Sequence, residues 1–155
     1  MRFVIEGGVL ESQRLKSGVS LLFASGSRPD ADAVGRALDS ADQSIPGATI
    51  SFRPDRRHGW IELLASGLTF ELHGLEPARP FAATRPAYCF GFDTGPPGVG
   101  LESLPLVTGP HVFGGRAMEP VVRTIAGLAA NLALELPVSV VCWEPASIWM
   151  APAYF

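Results

Sequence analysis

Pro120 and Pro137 bracket the most restrictive stretch of this sequence, VVRTIAGLAANLALEL. A proline has no N–H to lose in a first helical turn, and Glu119 beside it complements the helix dipole, so the spacing predicts a helix starting there. Val121, Ile125, Leu128, Ala129 and Leu132 form one stripe at helical spacing. Val122, Ala126, Ala130 and Ala133 leave little polar surface elsewhere, so this helix has to be covered on more than one side. Glu135 and Pro137 stop it, and Val138-Ser-Val-Val-Cys-Trp143 follows as a β-branched strand. The run is too short for a membrane span, which needs about 20 uninterrupted apolar residues. Arg123, Asn131, Glu135 and Pro137 all break it.

A helix covered on both sides implies a sizeable core, and the composition permits one. Of 155 residues, 47% are hydrophobic and only 17% charged, against a usual charged share near 25%. That deficit points either to modest solubility or to an apolar surface covered by a partner. The net charge of −3 gives no basis for binding nucleic acid, which calls for a concentrated basic face. No leader pattern is visible, because Met1-Arg-Phe-Val-Ile is broken at once by Glu6-Gly-Gly. Cys89 and Cys142, each inside an apolar run, read as two reduced, buried thiols of a cytoplasmic protein.

Along the chain, Phe3–Glu6 and Val9–Glu11 suggest a short hairpin around Gly7-Gly8. Gly18–Ala24 reads as a strand and Asp30–Asp39 as a helix with acids in its first turn. Ala48–Phe52, Trp60–Leu64 and Leu68–His73 are three successive strands, the last two joined through Ser66-Gly67. Ala87–Phe92 is a further strand, the stretch Asp93 to Pro110 reads as loop, and His111–Phe113 as a brief extended piece. The expectation is a single α+β domain over 1–155, with a mostly antiparallel sheet of about five to six strands and two main helices packed on one face.

Several motifs invite a chemistry. Phe92-Asp-Thr-Gly95 copies the core of the aspartic-protease signature, but that chemistry needs paired carboxylates. The sequence has one such motif, followed by Pro96. His58, His73 and His111 are too scattered for a zinc site, so no metal or cofactor is expected. Glu71 and His73 share a strand face and read as a solvated pair, and Arg53-Pro-Asp-Arg-Arg-His58 as a solvated hairpin tip.

The C-terminal third carries a resemblance. Thr124-Ile-Ala-Gly-Leu-Ala-Ala-Asn-Leu, Val140-Val-Cys-Trp143 and Met150-Ala-Pro-Ala-Tyr-Phe155 resemble an uncharacterised bacterial family, the domain-of-unknown-function family 4261. His111 is similar to a histidine recurring near that place in the family. The resemblance implies no accepted activity and transfers no catalytic residue.

Two functional expectations follow. The first is a non-catalytic domain acting through protein–protein contact, as an accessory or immunity-type protein or as a homo-oligomer. Its contact residues would be Trp149, Met150, Tyr154 and Phe155, in a tail without Lys or Arg that packs on its own domain with Trp149 partly exposed at the contact edge. The second is a small hydrolase or ligand-binding enzyme in which Asp93, His111 and Glu119 converge around a Gly/Pro-rich loop. That reading requires the three side chains to approach a common point.

Overall fold

A computed structural model describes residues 11–40 and 47–155. The hairpin expected over residues 3–11 lies almost wholly outside them, and residues 11–15, labelled α1, are helical rather than extended. The remaining elements are β1 (Val19–Phe23), α2 (Ala31–Leu38), β2 (Thr49–Phe52), β3 (Trp60–Ala65), β4 (Leu68–His73), β5 (Phe81–Ala82), β6 (Tyr88–Phe90), β7 (Glu102–Thr108), α3 (Glu119–Glu135), β8 (Val140–Trp143) and β9 (Ile148–Met150). The fold is α+β. All nine described strands join one sheet in the order β2-β3-β4-β7-β1-β8-β9-β6, with β5 beside β7. That exceeds the five to six strands expected. Every pairing is antiparallel except β6 with β9.

The strand most at odds with the sequence reading is β7. Residues 102–108 lie within the stretch expected to be loop, yet they pair with β1 along one edge. Pro105, a residue normally kept out of interior strands, obscures the pattern. On the other edge β4 pairs with Leu106–Thr108 and β5 with Glu102–Ser103. Pro105 falls between those two neighbours, where neither has a registered partner, so its missing N–H breaks neither ladder. Residues 111–113 are likewise not extended; a 3-10 turn spans Phe113–Gly115.

The sheet has one face under helices and one under loops. Asp30 caps α2, its carboxylate accepting from the Ala33 N–H at 2.8 Å. α2 and α3 lie together on one face, over Leu21, Phe23, Leu63, Phe70, Leu72, Leu104, Leu106 and Val141. Leu128, Ala129 and Leu132 of α3 are fully buried there, as the all-round apolar pattern demands. Gly18 leads into β1 at a close approach: a Cβ there would fall 2.1 Å from the Leu106 carbonyl oxygen. Leu22, Val140, Cys142 and Trp149 form a smaller cluster, against which Ala83, Phe92 and Leu101 pack. Register places these four on the opposite face, out of phase with Leu21 and Val141.

Candidate functional site

The strand directions decide whether Asp93, His111 and Glu119 can meet. β6 runs parallel to β9, β9 antiparallel to β8, β8 to β1, and β1 to β7. β6 and β7 therefore point in opposite directions. Asp93, just beyond β6, sits at the end where β7 begins, while His111 follows the end where β7 finishes. The seven residues of β7 separate those ends by about 23 Å. Glu119, at the start of α3, is exposed and bonded to Arg123 one turn along its own helix. The three side chains do not assemble a catalytic centre, because the order of strands, invisible in sequence, carries Asp93 away from the other two.

Glu71 and His73 form a more developed cluster, and not the solvated pair expected. Glu71 is buried. Its Oε2 accepts from Arg14 Nη1 at 2.7 Å and lies 2.8 Å from His73 Nε2. Arg14 also donates to the Thr108 carbonyl and to Glu11, so α1 is bound down over the sheet. Burial pushes the Glu71 carboxyl up, but the hydrogen bonds from His73 and Arg14 outweigh it and hold the group below its usual range. A carboxylate held ionised in this way is a poor proton donor near neutral pH. His73 is itself enclosed by rings, stacked on Trp60 at 5.9 Å and edge-on to Phe81 at 6.4 Å. Its imidazole is a fixed part of the wall.

A second polar group lies on the same face. Ser20 donates to Glu144 Oε1 at 2.6 Å and Thr84 to Glu144 Oε2 at 3.3 Å. Cys142 sits beside Glu144. Burial first, and the Glu144 charge second, push its thiol up to about 12, so it is not a nucleophile near neutral pH. These polar groups satisfy one another, and among the described residues no three His, Cys, Asp or Glu side chains are arranged to hold a metal ion. No described helix is long and apolar enough to cross a membrane.

Unsatisfied apolar surface gathers at β6 instead. This strand closes one end of the sheet. Tyr88 is 71% exposed, Phe90 59% and Tyr154 60%, and the Phe90 and Tyr154 rings meet edge-to-face at 5.7 Å. The Phe90 carbonyl accepts from the Ala151 N–H at 3.0 Å, so strand alternation turns the amide and carbonyl of Cys89 to the open side. The Cys89 side chain is exposed too, where sequence context suggested burial, although both cysteines are free.

The tail is distributed differently from the expectation. Trp149 is only 8% exposed and packs with Leu22, Val140 and Cys142. Phe155 is partly buried against the main core and Met150 is half-buried. Of the four expected contact residues, Tyr154 is the one well exposed, and the strand residues Tyr88 and Phe90 join it. They escaped the sequence reading because a strand ended by Gly91 looks like interior sheet until its neighbours are counted. No family model, curated protein or solved structure matches the chain.

Proposed function

We propose that this protein works through protein–protein contact, with the open edge of β6 as its docking strand. The observation carrying this reading is the patch of Tyr88, Phe90 and the adjoining Tyr154 at a strand whose outer side has no neighbour among the described residues. Exposed backbone groups on an edge recruit another strand, while flanking aromatic rings supply area and anchoring. The occupant is a strand from a second copy of the chain or from a protein that this domain accompanies, in keeping with an accessory or immunity-type role. The two unpaired thiols support a cytoplasmic setting. The resemblance of the C-terminal third to domain-of-unknown-function family 4261 belongs to the same reading and assigns no activity.

The test is light scattering on the purified chain beside a Tyr88→Glu/Phe90→Glu variant, with affinity capture of partners by both. Association or capture by the parent and its loss in the folded variant supports the edge. A parent that is strictly monomeric and captures nothing, or a variant that associates unchanged, rejects it.

A further inference from the structure

A second site, independent of the β6 edge, opens where α3 begins. A cavity of about 360 Å³ lies between the first turns of α3 and the ends of β1, β7 and β8. Val122, Ile125 and Trp143 supply apolar walls, and Lys16 and Arg116 border it. Cavities of this size hold small organic molecules.

Its basic groups have no carboxylate partner, unlike the hydroxyls around Glu144. Among the described residues neither Lys16 nor Arg116 has a carboxylate partner. Arg116 is held by the Phe113 carbonyl at 3.0 Å and lies over the Phe113 ring at 4.1 Å, which fixes its position without neutralising it. Met118, at the N-cap of α3, provides no side-chain hydrogen bond, so the positive end of a 17-residue helix adds to the same field. The neighbouring hollow on the opposite face, which Lys16 also borders, is different: there Ser20 and Thr84 already bond Glu144.

We infer that this cavity binds a small organic anion: a flat apolar body against Trp143, Val122 and Ile125, and an acidic head, carboxylate or phosphate ester, at Arg116 and Lys16. Calorimetric titration of the full chain with 2-naphthoate, 2-naphthyl phosphate, neutral 2-naphthamide and inorganic phosphate tests this, and the first two distinguish the head groups. At least one aromatic anion should bind about tenfold or more tighter than the amide, the scale of one charge-assisted contact. Arg116→Ala should remove most of that advantage. Lys16→Ala, at an exposed position, should weaken the anion several-fold without lowering the melting temperature. Equal binding of amide and anion, equal binding of inorganic phosphate, unchanged affinity in Arg116→Ala, or no binding by either aromatic anion overturns the inference.

Discussion

Arg14 and Glu71 meet at 2.7 Å across 57 positions of sequence, joining a short helical stretch to the middle of the sheet. The carboxylate is folded into a site that favours its ionised form. A carboxyl depressed in the folded state contributes stability above its unfolded pKa, near 4.3, and the contribution fades as pH falls through the folded value. Glu71→Gln should therefore cost up to about 3 kcal/mol at pH 7, where it leaves Arg14 poorly matched. The cost should be smaller at pH 3. Denaturant unfolding of both proteins at the two pH values checks this, and equal losses at both would refute the linkage.

The two thiols should differ sharply in reactivity. Cys89 is exposed, whereas Cys142 is buried with its thiol pushed up to about 12. A thiol-reactive chromophore at pH 8 should label one site per native chain, lost in Cys89→Ser, and two after denaturation without reductant.

Leu128 is fully buried on the sheet-facing side of α3. Leu128→Ala should cost about 2–5 kcal/mol, and Leu128→Asp, which buries an unpaired charge, should prevent folding of a domain whose total stability is on the order of 5–15 kcal/mol. A well-folded Asp variant by circular dichroism would show that α3 is not the core element.

Trp149 and β9 bind the tail to the domain. Trp149→Ala should cost about 3–5 kcal/mol, worth roughly 10 °C in a domain of this size. Deleting 147–155 should cost more, because β9 is also the neighbour that holds β6. Calorimetric melting distinguishes this from a tail serving only as a contact, whose removal would leave melting unchanged.

What the residues made legible was local. The alternation of Leu68, Phe70 and Leu72 with Thr69, Glu71 and His73 set which side of β4 is buried beneath helices, and the run around Leu128 identified the helix that covers it. The acids Asp30 and Asp32 after Pro29 marked the start of α2. Relationships between distant segments were not legible. Nothing near Glu71 announces Arg14, so an ion pair read as solvated is in fact desolvated. Pro105 hid β7, and without β7 neither the number of strands nor the separation of Asp93 from His111 was within reach. The apolar composition allowed for an exposed patch but did not place it, because only the order of strands shows that β6 lies at an end of the described sheet.

The position of β1 also governs when the sheet can assemble. Its two neighbours, β7 and β8, both come from far later in the chain. β2, β3 and β4 follow one another and pair locally, so during synthesis they can associate early. The Val19–Phe23 segment, all five residues of which end buried, meanwhile has no lasting partner. Such non-local closure is slow, and a short apolar strand waiting unpaired is prone to join other chains. Fragments that stop before Glu102 should accordingly precipitate, and the yield of intact protein should respond to growth temperature and chaperone supply more than its final stability suggests.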